Sequence, residues 1–548
     1  MANLLHELVN LRRLLTTAAN GYVDPVRGED STWLHDTKAD IVQNCLFGVD
    51  IQQQAIEICR LRLWLSLLVD YELGVNPFEA ERSKFIEAIN HISQLPNLEM
   101  NFRRGDSLHD YICGHPVRLD GTQLADYTDD LAFIERKGEK WHHARRAETK
   151  KKLRLEILAH RIDLGKRVIT DQIAALQKQA GVIADVWFGE SMSESEKRRK
   201  LEQEIARLRD ALKQLESDER NLAKLRTQDS LNLTDFYRRL RDLEGSRPDG
   251  PHNFVWRLDF PHVLGEKENG TLLDNFSIVN EAGQGELVEA KRKSAAGFDL
   301  IVGNPPFVTA RNPEKRELYR ERWPRVCHQK FLLICPFFEL SFGLLKPVGQ
   351  LGFIVSNAFA KREFGQPLIA DFFPTVDLQK IVDCSGLMFP GHGTPTCLVF
   401  GAQRKPDDKS PIRVAATLPG GGDLRTPPEE SPLWHTLAAQ HDNPGFTDSR
   451  VVVADRPRKG MAKWPWNLDS SAELTRVAME KEAPPLSQFV DSVGPSTLTR
   501  SDEVFMQPGH TMRQHTIEQI NVRFVVVGDS IRNWGFFRNF PVVFNWSF

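Results

Sequence analysis

The densest chemistry in the sequence lies at Asn304, Pro305, Pro306 and Phe307, directly after the apolar run FDLIVG (298–303). A short apolar run of this kind predicts a buried strand, so these four residues stand in the loop at its carboxyl end. Open α/β sheets hold their ligands at that edge. The Asn304 side-chain amide and the Pro305 carbonyl are neutral acceptors. Held by two stiff prolines, they can take both hydrogens of a planar exocyclic amine such as that of adenine. The nitrogen is then drawn toward a tetrahedral, nucleophilic geometry. Phe307 offers a face on which a flipped-out base stacks. Asn-Pro alone starts many ordinary turns. The strand before it and the aromatic after it set this one apart.

Two acids sit in comparable places. Asp50 closes the apolar run LFGVD (46–50), and helical spacing follows at Ile56, Leu61, Trp64, Leu65 and Leu68. An acid after a buried strand binds ribose hydroxyls in dinucleotide sites, and the same residue also suits a helix N-cap. Asp106 lies in a Gly-Asp-Ser sequence that would serve equally as a plain turn. No Pro-Cys dipeptide is present, which excludes the nucleophile that cytosine-C5 methylation needs. The seven cysteines form no CxxC pair, so neither a zinc ribbon nor a disulfide framework is expected, and no metal is assigned.

The elements that must position these groups divide the chain into four segments. Residues 1–118 and 251–403 show the strand–acid–helix rhythm of an α/β sheet. Strand candidates in the second include FDLIVGN (298–304), LGFIVSN (351–357), LQKIVDC (378–384) and CLVFGA (397–402). Residues 119–250 are rich in Lys, Arg and Glu. Leu155, Leu158, Ile162, Ile169, Ile173 and Leu176 form one helical stripe, and Leu201, Ile205, Leu208, Leu212, Leu215 and Leu222 form a heptad-like seam. An antiparallel, coiled-coil-like helical hairpin inserted into the sheet domain is predicted. Its basic runs KKKLR (150–154) and EKRRKL (196–201) suit either DNA backbone or a solvated face. Residues 404–548 read as a linker and a second domain. The apolar run FLLICPFFELSFGLL (331–345) is too short to span a bilayer and contains Glu339 and Pro336, so a buried helix is expected there. A formal net charge of −3 gives no global signal for nucleic acid, so any DNA surface must be local. A reduced, cytoplasmic setting without membrane contact is expected.

FDLIVGNPPFV (298–308) resembles the catalytic motif of the gamma-class adenine-N6 DNA methyltransferases, above all the large fused restriction–modification and phage-defence enzymes. The resemblance extends over most of the chain outside the helical insertion. It implies a Rossmann-like methyltransferase sheet, S-adenosylmethionine as cofactor and double-stranded DNA as substrate. LFGVDIQQQAIEICRLRLWLSLL (46–68) is similar to the second cofactor motif, which implies that Asp50 accepts the ribose hydroxyls and Ile51 packs on the cofactor's adenine. LPNLEMNFRRGDSL (95–108) resembles the third, which implies that Asp106 accepts from the cofactor's amino group. FVWRLDFPHVL (254–264) resembles the stretch before the catalytic strand. LMFPGHGTPTCLVF (387–400) resembles the motif whose aromatic, here Phe389, closes the target-base pocket; a core Phe is the other reading.

One part of the family pattern is missing. The glycine-rich first motif, which cradles the cofactor's methionine part, is not found before Asp50, and MANLLHELVNLRRLL looks like the helix that follows it. The expectation is a sheet incomplete at its N-terminus and a partial target-recognition domain. A partner chain supplying the loop would complete the sheet. The alternative is a truncated or split, catalytically silent recognition or assembly subunit.

Overall fold

The computed structural model describes residues 2–19, 33–69, 98–112, 115–117, 127–144, 146–185, 192–227, 233–243, 254–264, 296–385, 394–418 and 430–468, with isolated positions and short strands beyond. They fall into two compact units, Met1–Ser470 and Ser471–Phe548. Among the described residues no helix is long and apolar enough to cross a membrane.

The first unit begins with a thin layer of helices on two strands. Helices α1 (Ala2–Ala19), α2 (Trp33–Asn44) and α3 (Gln53–Val69) surround β1 (Gly48–Asp50), which pairs in parallel with β2 (Phe102–Arg104). Their small core is built from Leu5, Val9, Ile41, Val42, Ile56 and Leu63. The helix predicted after Asp50 forms, but its buried face is Ile56, Leu63 and Leu67. Of the expected stripe, Leu61, Leu65 and Leu68 are instead exposed, together with Ile58. The helix is apolar on two sides, and only one is covered.

A short hairpin, β3 (Asp110–Ile112) with β4 (His115–Val117), leads to α4 (Thr128–His143), α5 (Ala147–Asp185), α6 (Met192–Thr227) and α7 (Leu233–Leu243). Helices α5 and α6 make the hairpin read from the sequence. The stripe residues Leu155, Leu158, Ile162 and Ile169 share one core with Ile205, Leu208, Leu215 and Leu222. Arg226 donates to the Leu155 carbonyl at 3.3 Å, and Lys166 meets Glu219 at 2.9 Å. Those pairings run in opposite sequence directions, so the helices are antiparallel.

The larger sheet has six strands in the order β10-β9-β7-β8-β6-β5. They are β5 (Phe298–Gly303), β6 (Leu345–Ser356), β7 (Asp377–Asp383), β8 (Thr396–Ala402), β9 (Ile412–Thr417) and β10 (Val451–Arg456). A mostly parallel sheet is what the α/β rhythm predicts; the observed sheet is mixed. Strands β5–β6 and β7–β9 run parallel, while β8 inserts antiparallel between β6 and β7, and β10 closes the far edge antiparallel to β9. Helix α8 (Pro313–Arg322) follows β5, and α9 (Ile334–Leu344), the apolar helix expected there, covers one face. Phe338 on α9 lies 5.3 Å from Phe353 and 5.2 Å from Phe373, ring to ring. Helix α10 (Pro432–Gln440) covers the other face through Leu433 and Leu437. Since β9 and β10 extend this sheet, the boundary expected at residue 404 falls inside the first unit, and the division comes at Ser470. Linker-like composition around 404 marks a connection between strands of one sheet.

In the second unit, β11 (Met506–Pro508) and β12 (Val522–Phe524) both pair antiparallel with a strand at Pro541–Phe544.

Candidate active site

Strand β5 delivers the Asn-Pro-Pro-Phe loop. Among the described residues it is an edge strand, paired in parallel with β6 as far as Gly303 opposite Phe353. The loop continues from that carboxyl end. Asn304 and Pro306 are exposed, whereas Pro305 is buried and Phe307 packs partly against the main core. The Leu333 N–H donates to the Val308 carbonyl at 2.9 Å and ties the loop's exit to the start of α9. A rigid base thus presents an amide to solvent, as polarising an incoming amine requires.

Asp50 stands at the carboxyl end of β1. Its Oδ1 accepts the Gln52 N–H at 2.7 Å, so it does bind at the start of α3 as an N-cap would. The carboxylate is nevertheless exposed, and Ile51 beside it is 53% exposed. An exposed acid next to an uncovered apolar side chain fits the ribose and ring of a nucleoside. The Gly105 N–H donates to the Asp50 carbonyl at 3.0 Å, bringing the end of β2 alongside. Gly105 is required by close approach: a Cβ there would lie 2.3 Å from the Phe254 ring.

Asp106 follows at once. Its Oδ1 accepts the Leu108 N–H at 3.1 Å, and Lys315 approaches its Oδ2 at 3.8 Å. Burial pushes the Asp106 carboxyl above the usual carboxylate range, against the pull of Lys315, the Leu108 N–H and Arg322. Trp256 donates through Nε1 to the Ser107 carbonyl at 2.9 Å, and the Tyr111 N–H donates to the Phe254 carbonyl at 2.9 Å. The stretch before the catalytic strand therefore braces the Asp106 loop.

Helix α8 joins the two halves of the site, and sequence reasoning missed it. Lys315 reaches Asp106, Arg322 meets the buried Asp110 at 2.7 Å, and Tyr319 lies 6.4 Å from the His109 ring. Residues 315, 319 and 322 are spaced to fall on one helical face, which is the signal that could have found them. Burial first, then Arg322 and Lys315, pushes His109 down to about 4, so it is neutral at physiological pH. Because α8 follows the catalytic loop, these contacts bring the carboxyl end of β5 to that of β2. The amino ends meet too, with the Phe47 and Phe298 rings 6.0 Å apart. Asp50 and Ile51 stand beside the Asp106 loop through Gly105, and the helix that follows Asn304, Pro305, Pro306 and Phe307 reaches that loop through Lys315. Phe389 lies outside the described residues.

The sequence profile of the Eco57I restriction-modification methylases matches residues 44–389, more than half of the chain and every one of these positions. The chain belongs to that family. Among curated relatives, the adenine-specific methyltransferase PglX of Streptomyces coelicolor is 34% identical over 248 residues, covering 43% of this chain and 20% of that protein. The type II methyltransferase M.XhoI of Xanthomonas vasicola is 25% identical over 221 residues, covering 38% of this chain and 37% of that one. The chain thus spans only a minor part of the relatives it matches. The crystal structure of the type IIG restriction endonuclease BpuSI aligns over 41% of this chain and 28% of its own, at 14% identity and a TM-score of 0.24.

Proposed function

We propose that this chain carries the base pocket and the nucleoside-binding groups of an S-adenosylmethionine-dependent enzyme that methylates N6 of adenine in a specific duplex DNA sequence, within a restriction–modification or phage-defence system. The observation that supports it most is Asn304, exposed at the end of β5 on a loop that α8 ties to Asp106. Asn304 and Pro305 accept the hydrogens of the target amine. Pro306 stiffens the loop, Phe307 stacks on the flipped base, and Phe389 closes the pocket from the other side. Asp50 accepts the ribose hydroxyls of the cofactor, Ile51 packs on its adenine, and Asp106 accepts from its amino group. The bound cofactor supplies an electrophilic methyl group on a sulfonium. Ser471–Phe548 serves as part of the target-recognition domain, and the protein works in the cytoplasm, where its DNA lies.

The partner follows from the sheet. Among the described residues β5 pairs only with β6, and β1 only with β2. Leu300 and Val302 on β5 are 45% and 51% exposed, and Leu61 and Leu65 on α3 are 52% and 50% exposed. An apolar edge of this kind accepts a further strand. The proposed occupant is a strand running into a glycine-rich turn that holds the cofactor's methionine part, on a neighbouring segment or a separate chain. The open edge also favours a second reading, in which the chain alone is a silent recognition or assembly subunit.

Calorimetric titration of the purified chain with S-adenosylmethionine separates these readings. Saturable binding supports the enzyme outright. Binding that appears only with a partner carrying the glycine-rich turn supports a split enzyme, and no binding with any such partner leaves the silent subunit. In the binding-competent assembly Asn304→Ala should lower methyl transfer about 10²–10³-fold while sparing cofactor affinity. Full activity in that variant overturns the site.

A further inference from the structure

A second place in the molecule gathers charge for which methyl transfer has no use. Where helix α5 meets strand β2, a cavity of about 40 Å³ is lined by Arg103, Arg154, Arg161, Glu99, Met100 and Trp141, among others. Glu99 and Met100 precede β2, whereas Asp106 follows it, so the cavity lies toward the opposite end of the strand from the candidate active site.

Two guanidiniums at its wall converge on one acid. Asp259 is fully buried and receives both Arg103 and Arg161, the latter at 3.0 Å. The Val255 N–H also donates to it at 2.9 Å. Arg154 meets Glu99 at 3.2 Å. Arg103 and Arg161 thus share one buried carboxylate, and the Arg154–Glu99 pair stands beside them. Behind them the half-buried Arg60 donates to the Phe102 carbonyl and, at 3.5 Å, to the Glu99 carbonyl. Burial lowers the Arg60 pKa from its ordinary value, and Arg103 and Arg154 push the same way against Glu99 and Glu57. The Nε atoms of Arg60 and Arg161 are buried and lack a hydrogen-bond partner. A buried cation without a full set of partners is costly, and an anion from outside offsets that cost. Arginine forks match the oxygens of phosphate. The volume exceeds the ~10–15 Å³ that one water needs. It suits a phosphate group with any attached moiety left outside, on the side where the Glu99 side chain is 48% exposed. Arg154 closes the basic run KKKLR, which the proposed function leaves without a role.

We propose that this cavity between the helical hairpin and β2 binds a phosphate group, with Arg161 and Arg103 at its inner wall and Arg154 at its mouth. The proposal stands apart from the methyl-transfer reading. The phosphate comes from a small phosphate ester or from a nucleic-acid backbone, and the same arginines serve both.

The test titrates the full chain with inorganic phosphate against chloride at fixed ionic strength, by calorimetry and thermal unfolding. Saturable binding and a rise in Tm are expected. Arg154→Ala should weaken binding at least tenfold. Glu99→Gln, which removes the competing carboxylate, should tighten it several-fold, an effect that a purely structural role for the cluster does not produce. Should Arg154→Ala fail to fold, Glu99→Gln decides alone. A duplex oligonucleotide identifies the source: displacement by phosphate together with loss in Arg154→Ala assigns the backbone, and duplex binding that ignores both assigns a small ester. Absence of saturable phosphate binding, or unchanged affinity in Glu99→Gln, overturns the proposal.

Discussion

The six-stranded sheet and the two-stranded parallel sheet of the first unit, which share no strand pairing among the described residues, differ in how they are finished. The six-stranded part is covered by α9 and α10 on its two faces and contains fully buried Phe338, Phe342 and Phe359. The two-stranded part leaves Ile51, Ile58, Leu61, Leu65 and Leu68 exposed, and the facing edge strand β5 leaves Leu300 and Val302 exposed as well. Apolar surface at a single position needs no explanation, but Ile58, Leu61, Leu65 and Leu68 recur at helical spacing along one face of α3. The loop of Asn304 to Phe307 is therefore mounted on the covered part, and Asp50 and Asp106 on the less covered one.

That contrast can be broken or sharpened by experiment, and the largest effect is expected in the finished part. Phe338→Ala removes a ring packed on Phe353 and Phe373 and should cost about 3–5 kcal/mol in chemical denaturation. A loss near zero would mean that this core is not the stable one. Next comes Asp259→Ala, which leaves Arg103 and Arg161 buried without their shared acid and should cost about 3 kcal/mol or more. The Asp259 carboxyl is itself held below the usual carboxylate range by Arg103 and Arg161, against its burial. A carboxyl depressed in the folded state stabilises above its unfolded pKa and loses that contribution as pH falls through the folded value. Acid titration of the wild type should show this loss, and the Asp259 variant should not.

His109 gives a smaller, pH-limited effect. Its folded pKa of about 4 lies below the ordinary 6.5, so between these values the unfolded chain binds more protons. Stability should fall by up to ~3 kcal/mol as pH drops through that window. His109→Phe should flatten the slope in unfolding curves taken at successive pH values. The smallest effect belongs to the unfinished part: Leu65→Ser should change the stability of the isolated chain by less than about 0.5 kcal/mol. In an assembly that covers α3, the same substitution should weaken association measurably, and equal tolerance in both states would argue against a covered face.

These differences also show what could be read from the amino-acid order. Patterns that repeat locally were legible: the seam of α5 and α6, the apolar α9, and strand β5 running into Asn304. Local apolarity does not say which side of an element is covered. FDLIVG reads as a buried strand yet forms an edge among the described residues, and three of the five stripe positions chosen on α3, Leu61, Leu65 and Leu68, are left exposed. Groups that depend on distant partners were not legible. Asp259 meets Arg103 and Arg161 only through tertiary packing, and Lys315 and Arg322 show their role only once α8 lies against the Asp106 loop. The boundary was misplaced at 404 because a polar connection looks the same within a domain as between domains.

The shared carboxylate of Asp259 also bears on the order in which the protein is made. Strand β2 carries Arg103, but the acid that neutralises it leaves the ribosome only after the whole helical hairpin has been synthesised. At about 5–20 residues per second that delay is about 10–30 s. Throughout it the nascent N-terminal layer holds an unmatched guanidinium and the uncovered apolar face of α3, so this is the interval in which a chaperone would have most to protect.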